Sequence, residues 1–172
     1  MIANIVNTIH SFVDYPHPEK HSITVFMSGC GHNCKNCQNK SLQDFSIGTS
    51  YTPEDFLNEL VKLSIKYKTN NIVLQGGDPL YGNNLEFTQE LLAINSIENY
   101  HLNFCVYTGF DIKYVKKYFN KGDAEFWKCG LFKEDSRNLS EKTDKHFVLA
   151  SSNQNFYNSN FKKISRKGIL KF

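Results

Sequence analysis

An α/β fold with a mostly parallel sheet and helices outside it is what this sequence predicts, and three observations carry the prediction. Short runs of β-branched and aromatic residues alternate with longer helical stretches, at the spacing of strand–helix units. Each predicted strand runs straight into a motif rich in Gly, Asp, Thr or Asn. The 172 residues suffice for one cored domain, taken as residues 1–172. They are too few to close eight strand–helix units, so an open or partial barrel is expected.

Taken in order, residues 1–20 mix apolar and polar side chains around Pro16 and Pro18, and are read as an edge strand and a loop. Residues 21–27 form a strand, and a cysteine loop follows its end. Residues 48–50 are a polar break. Thr52 then caps a helix with Pro53 at its first position and Glu54 and Asp55 in its first turn. Phe56, Leu57, Leu60, Val61, Leu63 and Ile65 supply its apolar face, and the helix ends near Tyr67. A buried strand over 71–74 ends in Gln75-Gly76-Gly77-Asp78-Pro79-Leu80, and a second helix covers 85–94. A strand over 101–107 ends in Thr108-Gly109-Phe110, before a helix over 111–119 capped by Asp111. Residues 125–129 and 145–149 are the remaining strands. From Asn155 onward, irregular structure with one short strand is expected.

The bulk numbers exclude some classes. A net charge of +3 does not argue for nucleic acid. The basic excess gathers at Lys162, Lys163, Arg166 and Lys167, which reads as a solvated tail or as a docking site for an acidic partner. No apolar stretch reaches the roughly 20 residues of a membrane span, and the first residues lack the pattern of a signal peptide. Five cysteines do not pair off, so reduced thiols in a soluble, cytoplasmic protein are expected.

Cys30, Cys34 and Cys37 fall at C-x3-C-x2-C. Three thiolates so close can converge on one soft metal centre, either zinc or an iron–sulfur cluster. Zinc needs a fourth protein ligand, for which His32 is the candidate. That histidine lies between two cysteines, however, whereas zinc sites place a second ligand pair further along. A cubane held by three cysteines leaves one iron open to an outside ligand, and spacing alone favours it without removing zinc.

Gly76-Gly77-Asp78-Pro79 reads as a tight turn. Beside an open iron it reads as a cradle: the bare glycine backbone lets carbonyls approach a ligand, and Asp78 adds charge suited to an ammonium group. Thr108-Gly109 either ends its strand or contacts a ribose or carboxylate. Ser152 and Asn153 are ambiguous in the same way. His32 is read as a loop-packing residue, Cys105 as a core residue and Cys129 as structural. No side-chain general base is nominated.

These motifs together resemble the radical S-adenosylmethionine (SAM) superfamily, and within it the activating proteins of anaerobic ribonucleotide reductase. Cys30, Cys34 and Cys37 match the superfamily loop. Gly29-Cys30-Gly31-His32-Asn33-Cys34, Cys37-Gln38-Asn39, Gly76-Gly77-Asp78-Pro79-Leu80, Tyr107-Thr108-Gly109-Phe110, Lys128-Cys129-Gly130-Leu131-Phe132 and Ser151-Ser152-Asn153-Gln154 are similar to the activase versions, in family order. Asn36 stands where many members carry an aromatic residue, and Asp78 where many carry Glu.

The resemblance implies a partial β/α barrel of the radical SAM type. Cys30, Cys34 and Cys37 would hold a [4Fe-4S] cluster whose fourth iron takes SAM through its amino and carboxylate groups. Gly76, Gly77 and Asp78 would receive the methionyl ammonium; Asn36, Cys37 and Gln38 would run past the adenine; Thr108 and Asn153 are further cofactor contacts. The implied activity is reductive cleavage of SAM, leaving a glycyl radical on the large subunit of the reductase, with a flavodoxin-like protein as electron donor. Another glycyl-radical activase, a small synthase like the carboxy-deazaguanine enzyme, and a zinc-bound interaction module are the rival readings.

Overall fold

The computed structural model describes residues 1–17, 21–139 and 145–172. Its frame is a seven-stranded sheet. The strands are β1 (Ala3–Ser11), β2 (Ser22–Met27), β3 (Thr49–Tyr51), β4 (Asn71–Gly76), β5 (Asn103–Thr108), β6 (Phe126–Cys129) and β8 (Asn155–Asn158), with β7 (His146–Val148) outside the sheet. The spatial order is β3-β1-β2-β4-β5-β6-β8. The central four, β2, β4, β5 and β6, are all parallel. The flanking pairs, β3 with β1, β1 with β2 and β6 with β8, are antiparallel.

Helices α1 (Pro53–Tyr67), α2 (Asn83–Ile97) and α3 (Ile112–Tyr118) connect the parallel strands. They pack on one face, where Ile23, Val25, Ile72, Leu74, Phe104, Val106 and Trp127 meet Phe56, Leu60, Phe87, Leu91 and Val115. Strand side chains alternate, so β4 sends Ile72 and Leu74 to the helices and Val73 to the other face, where it joins Cys105, Phe147, Phe156 and Leu170. Each fully buried Phe or Leu in these clusters contributes roughly 1.5–3 kcal/mol relative to exposure.

The helix signals hold at the residue level. The Thr52 side chain accepts from the Asp55 amide and Pro53 opens α1; Asp111 likewise accepts from the Tyr114 amide at the start of α3. Ile65, expected on the apolar face of α1, points to solvent, since it lies off the Phe56–Leu57–Leu60 stripe.

Four differences from the sequence expectations stand out. The first strand is not a simple edge: β1 pairs along β2 and, at Ala3–Ile5, also with β3. The polar break at 48–50 runs into β3, which owes its existence to that pairing. The 145–149 segment joins no parallel strand; β7 pairs antiparallel with β9 (Ile169–Lys171) as a separate two-stranded sheet. Beyond Asn155 lie two strands, β8 and β9, not one. The sheet order has β3 and β8 as its two ends. Among the described residues no helix is long and apolar enough to cross a membrane.

Candidate functional site

The C-terminal ends of β2, β4, β5 and β6 open onto one cavity of about 400 Å³, a volume in the range of small-molecule sites. Parallel strands place their following loops at one end of the sheet. The cavity wall therefore combines Cys30, Cys34 and Cys37 with Gly76-Gly77-Asp78, Thr108-Gly109, Gly130 and Gln154.

Backbone hydrogen bonds fix the cysteine loop to its neighbours. The Gly29 and Cys30 amides donate to the carbonyls of Leu42 (2.8 Å) and Gln43 (3.1 Å), and the Asp78 amide donates to the Gly29 carbonyl (2.9 Å). Buried Asn84 ties both loops from beneath, donating to the carbonyls of Ser28 (2.7 Å) and Asp78 (3.0 Å). Asn39 reaches the Gly76 carbonyl at 3.2 Å. This close approach explains the paired glycines: a Cβ at Gly77 would sit 2.5 Å from the Gly29 carbonyl oxygen, and Gly76 adopts φ +114° against the Met27 backbone. Asn33 and Asn36 take left-handed backbone (φ 51° and 55°), which asparagine tolerates better than most side chains.

Asp78 is the hub. It is buried, and its Oδ2 accepts from His32 Nε2 (2.9 Å), Thr108 Oγ1 (3.1 Å) and the Gly109 amide (2.7 Å), while Oδ1 accepts from the Leu80 amide (2.8 Å). One carboxylate thus joins three loops, and a buried charge is stabilised by such donors. The His32 ring also packs edge-on against Tyr81 and Phe110, at centroid distances of 5.0 and 4.6 Å. This is the loop-packing part expected of it. Ligand atoms of Cys30, His32 and Asp78 lie within 4.8 Å of one another. Burial pushes the Cys30 thiol up to about 11; a backbone hydrogen bond at His32 opposes this, and the Asp78 charge adds to it.

The residues nominated from sequence divide. Cys30, Cys34, Cys37, Gln38, Gly76, Gly77, Asp78 and Thr108 border the cavity. The Thr108 hydroxyl is engaged locally, donating to Asp78 and accepting from the Phe110 amide. Asn36 is exposed and outside the lining. Asn153 is also outside it: Nδ2 donates to the Leu131 carbonyl (2.9 Å), and its buried Oδ1 lacks a partner among the described residues. Neighbouring Gln154 donates to the Gly130 carbonyl at 3.0 Å, so this polar stretch clamps the loop after β6. Cys105 and Cys129 are buried in the core, where burial raises both thiols. Lys162, Lys163, Arg166 and Lys167 are exposed.

Sequence reading missed the opposite wall: Asp14, Gln75, Tyr107, Lys128 and the 147–150 segment. Strand parity could have found two of these. Tyr107 and Lys128 are register partners in adjacent parallel strands, and each alternates with residues committed to the helix-side core.

Residues 20–157 match the family model described as a 4Fe-4S single cluster domain. Among curated proteins, the chain is 32% identical over 92 residues to the anaerobic ribonucleoside-triphosphate reductase-activating protein of Vibrio cholerae, covering 52% of this chain and 58% of that protein. The protein of the same name from Haemophilus influenzae is 31% identical over 97 residues, covering 55% and 61%. That from Enterobacteria phage T4 is 27% identical over 95 residues, covering 55% and 60%. The chain thus spans about three fifths of the length of these relatives. Among solved structures, QueE from Escherichia coli aligns with a TM-score of 0.45 at 18% identity, over 63% of this chain and 53% of that one.

Proposed function

Because the chain belongs to the 4Fe-4S single cluster domain family, we propose that Cys30, Cys34 and Cys37 hold a [4Fe-4S] cluster and that the protein is a radical SAM activase of anaerobic ribonucleotide reductase. The observation that carries this is the convergence of the three-cysteine loop, the Gly76-Gly77-Asp78 loop and the Thr108-Gly109 loop on one cavity. The names of the curated relatives point to an anaerobic ribonucleotide reductase as partner, and in this reading its large subunit is the protein substrate. In this reading the 172 residues are one cytoplasmic domain, and the open sheet is a partial β/α barrel.

The residues present suit the group. The donor set is thiolate, which iron–sulfur clusters take, and all five cysteines are free thiols. Asp78 and His32 are already bonded to each other and to neighbouring loops, so their part is to set loop position rather than to supply metal ligands. Bound in this cavity, the cluster with SAM would supply one-electron reductive cleavage of the sulfonium, the source of the glycyl radical on the reductase. The chain's own contribution is placement. Gly76, Gly77 and Asp78 would receive the methionyl ammonium, the two glycines offering bare backbone at the cavity wall. Gln38 lies beside Cys37 on the path assigned to the adenine, with exposed Asn36 offering backbone to it. Thr108 holds Asp78 in register. Asn153 keeps the loop after β6 in place and is a further cofactor contact. The walls exclude water from the reacting centre. A flavodoxin-like donor meets the exposed Lys162–Lys167 cluster.

A second reading has one observation in its favour, the grouping of Cys30, His32 and Asp78 within 4.8 Å, which would suit zinc. Anaerobic purification separates the two, since an iron–sulfur protein is brown and contains inorganic sulfide. The function itself is tested by incubating the reconstituted protein with SAM, a reductant and the reductase. A glycyl doublet in electron paramagnetic resonance supports the activase; SAM cleavage without a doublet leaves the chemistry and removes the partner.

A further inference from the structure

Helix α3 carries charge of one sign. From Ile112 to Lys121 there is no acid, and Lys113, Lys116, Lys117 and Lys121 are all exposed. The adjoining helix α2, whose Gln89 donates to the Tyr118 carbonyl at 2.9 Å, has the opposite sign: Glu86 and Glu90 are exposed, and Asn83–Ile97 contains no Lys or Arg. On its other side α3 meets the turn after β8. The Lys116 ammonium lies over the Phe161 ring, 6.0 Å from its centroid, and the Gly122 amide donates to the Ser159 carbonyl at 3.0 Å. The α3 lysines therefore run into exposed Lys162 and Lys163 as one basic face. Among the described residues none of these lysines makes an ion pair. Like charges grouped without counter-ions create a field that draws in and orients an acidic surface.

A line of ring contacts leads inward from that face. Tyr118 meets Tyr114 at a centroid distance of 4.8 Å, Tyr114 stacks on Phe110 at 3.8 Å and 8°, and Phe110 meets His32 at 4.6 Å. The Lys117 ammonium sits over the outermost ring, Tyr118, at 5.0 Å. At the inner end, ligand atoms of His32 and Cys30 lie within 4.8 Å of each other. Electron tunnelling decays more slowly through packed atoms than across gaps, so these rings join the basic face to the cysteine loop.

Resting on the cofactor reading above, and refining where its donor docks, we propose that α3 with Lys162 and Lys163 is the electron-entry face. It fits an acidic one-electron flavoprotein, and the Tyr118–Tyr114–Phe110–His32 line couples that donor to the cysteine loop. One electron leaves the flavin, its anionic hydroquinone becoming the neutral radical, and the four-iron group gains one. No bond forms or breaks, and no proton moves. The rings supply packed contact and stay neutral throughout.

The test uses the reconstituted protein, with iron and sulfide assayed in parallel, and flavodoxin as the acidic probe. Binding is read by calorimetry at low and physiological salt, and cluster reduction by stopped flow. Lys116→Glu with Lys117→Glu should weaken binding about 10-fold at low salt and flatten its salt dependence; the paired Arg substitutions should not. Tyr114→Leu should leave binding unchanged but lower the reduction rate at saturating flavodoxin, and Tyr114→Phe should restore it. Reduction by dithionite, which reaches the cavity through solvent, should be the same in all of them. Unchanged flavodoxin affinity in the double-Glu variant would overturn the face. So would a larger loss from Lys35→Glu with Lys40→Glu, exposed on the cysteine loop, or loss of reductase binding in place of flavodoxin binding. An unchanged saturating rate in Tyr114→Leu would overturn the ring line. If dithionite gives the unaltered protein no reduced cluster that SAM perturbs, the cofactor reading falls and the entry face with it.

Discussion

At Asp78, Oδ2 gathers donors from His32, Thr108 and Gly109, and Oδ1 takes the Leu80 amide. Asp78→Asn puts an amide NH₂ where donors now point, leaving at least one of them unsatisfied. The expected cost is about 1–3 kcal/mol, read as a lower urea midpoint, with poorer retention of iron after reconstitution. The buried thiols give a second expectation, in pH. Burial raises Cys129 from 9.0 to about 12 and raises Cys105 as well. In the unfolded chain such thiols ionise near 9, while in the fold they stay protonated, so the unfolded state binds fewer protons above that pH. Their contribution is therefore complete below pH 9 and declines as pH climbs toward 12. Cys129→Ala should flatten the fall in stability between pH 9 and 11, measured by urea unfolding at each pH; an equally steep fall would assign it to other groups, such as buried Tyr15 and Tyr107.

Among the elements, α1 was legible to the residue, because its start is written locally. Thr52, Pro53, Glu54 and Asp55 are a cap, a first-position proline and two first-turn acids, and each acts within one turn. Thr52→Ala should cost about 1 kcal/mol, seen in thermal melting, with iron content and SAM binding unaltered because the cap lies away from the cavity lining. Strands β3, β8 and β9 were not legible in the same way. Each is three or four residues long and is defined by its partner: β3 by Ala3–Ile5, β8 by β6, and β9 by β7. Polar sequence such as Thr49-Ser50 carries no strand signal until that partner is placed. The β7–β9 ribbon nonetheless matters to the site. Leu170 packs with Phe147 and Leu149, both of which line the cavity. Leu170→Ala should cost about 2–5 kcal/mol and weaken SAM binding together with stability.

Over the whole molecule, the near wall of the cavity was readable because its residues sit in short motifs that follow strands. The far wall was harder to read: parity marks the shared face of Tyr107 and Lys128, but Asp14 joins them only through the bond its carbonyl accepts from the Tyr107 hydroxyl, a contact distant in sequence. The part of Asp78 was likewise hidden. Its four protein donors, from His32, Leu80, Thr108 and Gly109, come together only when three loops meet. Everything assigned to function depends on three thiolates leaving one iron open to SAM. Electron paramagnetic resonance of the anaerobically reconstituted, reduced protein, recorded with and without SAM, tests this most directly. The expected result is a four-iron signal that changes on adding SAM and is lost in Cys34→Ala. A signal indifferent to SAM, or one that survives loss of Cys34, would contradict it.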